Sequence, residues 1–233
     1  MTGTTHSEKP HYVGHRQRLR DRFLAGGGKD MPDYELLELL LTIAIPRRDV
    51  KPLAKELIKK FKDFAGVLNA SPERLSEIEG VKETTIAVLK IVKEAALRMS
   101  WQNLKNSDEP VISNWDAMVD YCRSTMAYNT IEEFRILFVD KKYHLIGEEV
   151  QQRGTVDCVS IHPREVIRSA LEKGAKGIIL VHNHPSGDVT PSQADIAITR
   201  KIKEAGETVE IKLLDHFIVS KYGEFSFLAK GIL

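Results

Sequence analysis

Cysteine is nearly missing from this chain: Cys122 and Cys158 are the only two in 233 residues. Two thiols cannot build a disulfide scaffold or a cysteine-based zinc site, and their scarcity fits a reducing compartment. Each reads as a small buried apolar side chain. No apolar run approaches the ~20 residues of a membrane span. The opening MTGTTHSEKP has no apolar core of a signal peptide. The expectation is a soluble, cytoplasmic protein without membrane contact. A charge excess is missing too: 34 Lys and Arg against 33 Asp and Glu leave a net charge of +1. That balance gives no global bias toward nucleic acid. The sequence contains no HExxH, and Gly26-Gly27-Gly28 lacks the Lys-Ser/Thr that would follow in a phosphate-binding loop. The length leaves room for one or two domains, each able to bury a core.

What is present gathers in one stretch, HNHPSGDVTPSQAD, His182 to Asp195. Gly177-Ile178-Ile179-Leu180-Val181 before it is apolar and β-branched, the pattern of a buried strand. His182 and His184 at i and i+2 share one face of that strand, and Asn183 takes the other. Pro185, Gly187 and Pro191 force a loop. Ser192 then stands as a helix N-cap with Asp195 in the first turn behind it. Two imidazoles and a carboxylate make a three-ligand set with a position left for water, the open pattern of a catalytic zinc site. Ser-x-x-Asp alone also satisfies a capping box, with no metal needed.

His182-x-His184-Pro185 followed by Ser192-x-x-Asp195 resembles the JAMM motif of MPN-domain zinc metallopeptidases. The longer run PREVIRSALEKGAKGIILVHNHPSGDVTPSQAD is similar to the bacterial RadC family, in which such a domain follows a helical N-terminal region. The resemblance covers nearly the whole chain and is looser over the first hundred residues. It implies Zn²⁺ on His182, His184 and Asp195, and hydrolysis of a peptide or isopeptide bond in a protein or peptide substrate. It also implies a general base at the start of an upstream strand. Glu133, leading Phe134 to Val139, has that place, with Glu132 and Glu149 as competitors. Ser192 would donate to the oxyanion of the tetrahedral intermediate. The repair label carried by RadC proteins supplies the alternative, a DNA-associated or nuclease-like protein using the same metal domain.

The rest of the chain fits a two-part α+β organisation. Residues 1–10 read as a disordered tail. Residues 11–100 read as an all-helical domain: an Arg-rich amphipathic helix through Phe23, then helices carrying Leu36 to Leu41, Leu53 to Phe61, Ser71 to Ile78 and Glu83 to Met99. Ala70 to Lys82 is similar to a helix-hairpin-helix, a weak DNA contact in prospect. Lys82 stands there in place of the second glycine, and Glu77, Glu79 and Glu83 would repel phosphate, so a protein-docking role competes. Residues 101–110 have linker composition. Residues 111–233 read as a mixed, mainly antiparallel sheet flanked by helices, including a strand over Val156 to Ile161. Asp215-His216, inside the apolar run Leu213 to Ile218, reads as a structural hydrogen-bonded pair. A role behind a metal ligand is the competing reading.

Overall fold

The computed structural model describes residues 12–154 and 161–233. The tail 1–10, Cys158 and nearly all of the expected strand Val156–Ile161 lie outside the described residues. The chain divides into two compact units between Ala95 and Ala96. No helix among the described residues is long and apolar enough to cross a membrane.

The first unit holds α1 (Tyr12–Gly26), α2 (Asp33–Ala44), α3 (Lys51–Phe61), α4 (Phe64–Asn69), α5 (Pro72–Ser76) and the start of α6 (Glu83–Lys105). Leu37, Leu41, Leu57, Val67, Leu75 and Leu89 bury their side chains in its core. Asp63 and Ser71 cap α4 and α5 by accepting the Gly66 and Arg74 amides. Two of the α1 arginines are used inside the unit. Arg16 donates to the carbonyls of Ile45, Pro46 and Arg48, and Arg22 pairs with Glu35. At the hairpin between α5 and α6, Gly80 takes φ +89°, with the Arg48 guanidinium against it. Lys60 holds Glu77 at 2.9 Å.

Composition suggests a linker at 101–110, yet α6 runs on to Lys105. The reason is the apolar pair Trp101 and Leu104, one helical turn apart. Leu104 is buried in the core of the second unit, and the Trp101 ring lies 5.3 Å from that of Tyr121. A fragment starting at residue 107 should therefore be less stable than one starting at 96. Burying a leucine contributes about 1.5–3 kcal/mol, and the tryptophan adds to it. Thermal melts of the two fragments check this; equal midpoints would mean the helix end contributes nothing.

The second unit adds α7 (Trp115–Met126), β1 (Glu133–Val139), β2 (Leu145–Arg153), α8 (Pro163–Glu172), β3 (Gly177–Asn183), α9 (Gln193–Glu207), β4 (Lys212–Ser220) and β5 (Gly223–Ser226). The sheet order is β2-β1-β3-β4-β5, with β3 and β4 parallel and the other three pairings antiparallel. The parallel pair needs a crossover, and α9 supplies it. Both faces of the sheet are covered. On one, Leu137, Val139, Ile179 and Val181 meet Met118, Cys122 and Met126 of α7. On the other, Phe134, Ile136, Phe138, Ile178 and Leu180 meet Val166 of α8 and Ile198 and Ile202 of α9. The parity is strict: in β1 and β3, odd positions face α7 and even positions face α8 and α9.

The end of α9 lies close against the start of β4. Gly206 accepts the Ile211 amide at 2.9 Å, and a Cβ added at Gly206 would stand 2.5 Å from the Ile211 carbonyl oxygen. Only glycine permits that approach.

Candidate metal centre

Strand parity builds the site. His182 is even, so it points to the α8/α9 side, and it pairs across the ladder with Phe134. It is fully buried. One residue past the end of β3, His184 turns its ring back so that its Nε2 lies 3.0 Å from Nε2 of His182. The other ring nitrogen of His184, Nδ1, lies 2.6 Å from the Asp188 carbonyl. A carbonyl only accepts, so Nδ1 carries the hydrogen and Nε2 presents a lone pair. Burial holds the His182 imidazole down to about 4, partly offset by Asp195, so the ring is neutral at physiological pH.

Two carboxylates close on this pair of nitrogens. Asp195 places one oxygen 3.3 Å from His182 Nε2 and the other 3.8 Å from His184 Nε2. Glu132 places an oxygen 4.0 Å and 3.8 Å from the same two atoms. Glu132, His182 and His184 form a group that could hold a metal ion, their ligand atoms all within 4.8 Å of one another. The donor set fits a divalent cation. Ligand atoms around a tetrahedral zinc, each about 2.0–2.1 Å from it, stand roughly 3.3 Å apart. The separations His182–His184 and His182–Asp195 are 3.0 and 3.3 Å, and His184 and Asp195 stand wider, at 3.8 Å.

Asp195 is aimed by the start of α9. Its Oδ2 accepts both the Ser192 amide and the Ser192 hydroxyl at 2.7 Å, and its own amide donates to Ser192 Oγ at 3.1 Å. That is a capping box. It leaves Oδ1 toward His182. The cap and the ligand reading of Asp195 are therefore compatible, since Oδ2 serves the helix and Oδ1, which the cap does not use, stands 3.3 Å from His182 Nε2. The Ser192 hydroxyl, expected to face an oxyanion, is turned onto Asp195.

Glu133, expected as the base, is not at this cluster. Being odd, it faces the α7 side. There its carboxylate holds Arg135 at 2.7 Å, while Arg135 also reaches Glu148 at 2.6 Å. Glu132, one residue earlier, falls on the even side with His182 and occupies the place assigned to Glu133. Glu149 is also elsewhere, paired with Lys173 at 3.2 Å and accepting from Ser169. Asn183, the residue between the two histidines, fixes where Glu132 lies. Its Oδ1 accepts the Glu133 amide at 2.8 Å and its Nδ2 donates to the Ile131 carbonyl at 3.1 Å, gripping the chain on both sides of Glu132.

His216 is the residue that sequence reasoning undervalued. Its ring sits 2.8 Å from His182 Nδ1 through Nε2 and 2.6 Å from Thr199 Oγ1 through Nδ1. The competing reading of His216 as a group behind a ligand is the one the geometry matches. Asp215 does not share it: its carboxylate accepts the His216 amide, the Ser226 hydroxyl and the Leu228 amide. Position i+4 from Asp195 on α9 was the available signal for Thr199, but nothing in the sequence places β4 beside β3. His144 lies apart, on the β1–β2 turn, against Asp140 and the Asp108 carbonyl.

Residues 112–232 match a RadC-like JAB domain, and residues 12–87 match the UPF0758 N-terminal domain. A UPF0758 protein of Rhodobacter capsulatus is 53% identical over 215 residues, covering 92% of this chain and all of that protein. Another UPF0758 protein, from Ruegeria pomeroyi, is 52% identical over 225 residues, covering 96% of this chain and all of the relative. A helical unit with this N-terminal match, followed by a JAB-type sheet carrying a possible metal group, places the chain in the RadC family of UPF0758 proteins.

Proposed function

We propose that the chain is a metal-dependent hydrolase of peptide or isopeptide bonds, with zinc held by His182, His184 and Asp195 and with Glu132 as the general base. The observation that carries it is the convergence of two imidazole Nε2 atoms, 3.0 Å apart, on two carboxylates. Asp195 is the better ligand of the two acids because it is 1% exposed and held by the capping box. Glu132, at 15% side-chain exposure, is the more open of the two acids.

A zinc ion bound there would lower the pKa of a water toward ~7 and polarise the scissile carbonyl. Glu132 takes the proton of the attacking water and passes it to the leaving nitrogen as the C–N bond breaks. Asn183 keeps that carboxylate at its distance from the imidazoles. Ser192 orients Asp195, and an oxyanion role would require its hydroxyl to leave Oδ2. The substrate class follows from the family resemblance, and a protein or peptide is the proposed partner. The α1 arginines offer less to DNA than their number suggests, since Arg16 and Arg22 are held within the helical unit.

Elemental analysis of protein purified without chelator should give about one zinc per chain. The combined His184→Ala and Asp195→Ala change should remove it. Stoichiometric zinc surviving that double change would reject the ligand set.

A further inference from the structure

We propose that Thr199 and His216 are positioning residues that set His182 in the one tautomer able to take a metal ion. The inference rests on reading His182 as a ligand. A neutral imidazole carries one hydrogen, and a ligating Nε2 must not be the nitrogen that carries it. His182 must therefore hold its hydrogen on Nδ1 and find an acceptor for it inside a sealed core.

That acceptor is Nε2 of His216, 2.8 Å away. For this nitrogen to accept, His216 must carry its own hydrogen on Nδ1, which faces Thr199 Oγ1 at 2.6 Å. Thr199 can accept it only if its hydroxyl hydrogen points elsewhere. It does have another target: the Asp195 carbonyl, one helical turn back, at 2.5 Å. A carbonyl cannot donate, so it forms a fixed stop at the end of the row. The reversed arrangement is also self-consistent. There Thr199 donates to His216, His216 donates to His182, and His182 points Nε2–H into the site, where a hydrogen would stand in the way of a cation.

The surroundings leave little freedom to escape this choice. Thr199, His182 and His216 are each 2% exposed or less. The His216 ring stacks on Phe227 at 4.7 Å and 20°, and Phe134 meets it edge-on at 5.7 Å. The row begins at His182 on β3, passes through β4 and ends on the backbone of Asp195 on α9. Two proposed ligands on different elements are thus joined by hydrogen bonds that never touch the ion.

The test uses the full chain and zinc alone. Zinc affinity is measured by competition with a chromogenic chelator for the wild type, Thr199→Val and Thr199→Ser. Valine keeps the shape and removes the stop; serine restores the hydroxyl. Thr199→Val should bind roughly 10–100-fold more weakly, and Thr199→Ser should stay close to wild type. Long-range ¹H–¹⁵N correlation spectra of the zinc-loaded wild type should show both His182 and His216 protonated on Nδ1, a readout that needs no variant to fold. Equal affinity of wild type and Thr199→Val overturns the inference alone. So does His216 found protonated on Nε2, or a serine variant as weak as the valine one. A wild-type chain that binds no zinc overturns the proposed function and this inference together.

Discussion

Glu132→Gln should leave zinc in place and cut hydrolysis by roughly 10²–10⁴-fold, the usual cost of a lost general base. Glutamine keeps the size and the hydrogen-bonding of the side chain but cannot take a proton from the attacking water. The metal should stay because the proposed ligands are His182, His184 and Asp195. Glu133→Gln is the control. Its side chain lies on the opposite face of the sheet, paired with Arg135, so turnover by the folded fraction should remain near wild type. A first assay would screen unstructured peptides and isopeptide-linked conjugates with added zinc, with metal content measured on every variant. Full activity in Glu132→Gln, or abolished activity with bound zinc in Glu133→Gln, would remove Glu132 from the mechanism.

The second large effect concerns stability. Arg135 is 5% exposed and lies between Glu133 at 2.7 Å and Glu148 at 2.6 Å, with the Tyr121 hydroxyl at 3.4 Å. Burial and its hydrogen bond to Glu148 push the Tyr121 phenol upward, so that group stays a neutral donor to Glu148. Arg135→Ala would remove the cation and leave the buried Glu133 carboxylate without its guanidinium. Breaking a buried pair in this way costs about 3–5 kcal/mol. Arg135→Lys should recover part of that, since one ammonium cannot serve two carboxylates as a planar fork does. Denaturant titrations with unchanged slope would report the loss as a lower midpoint. A cost below about 1 kcal/mol would show that the network is relaxed by neighbours and contributes little. Arg135 and the metal group lie on opposite faces, so the folded fraction of Arg135→Ala should still bind zinc.

The placement of Glu132 shows where the sequence stops being readable. That His182, His184 and Asp195 come together was legible because their spacing carries its own geometry: i and i+2 on a strand, then an N-cap and its third residue. Which upstream acid joins them was not, because β1 is buried on both faces. Phe134, Ile136 and Phe138 are as apolar as Leu137 and Val139, so no alternation reveals which acid before them points toward His182. The cross-strand pairing of Phe134 with His182 settles the parity, and pairing is a property of the sheet. His216 was obscured for a related reason: its partner on β3 is 34 residues away. The linker was misjudged because polar composition between Gln102 and Asp108 outweighs two apolar residues at helical spacing. The helical unit was readable locally, as expected for structure built from near neighbours in the chain.

The tight seat of Gly206 against Ile211 has a bearing on genetics. Alanine at 206 cannot be absorbed by a flexible side chain, because the atom it meets is a backbone oxygen. Either α9 or the start of β4 must move. One of those carries Asp195 and Thr199, and the other leads into His216. The glycine lies 11 residues down α9 from Asp195, roughly 16 Å along the axis. A random-mutagenesis hunt for inactive alleles can therefore return position 206 beside the metal-group residues. Such an allele would map the mechanical footing of the centre, and distance from the chemistry would be no guide to which substitutions the protein tolerates.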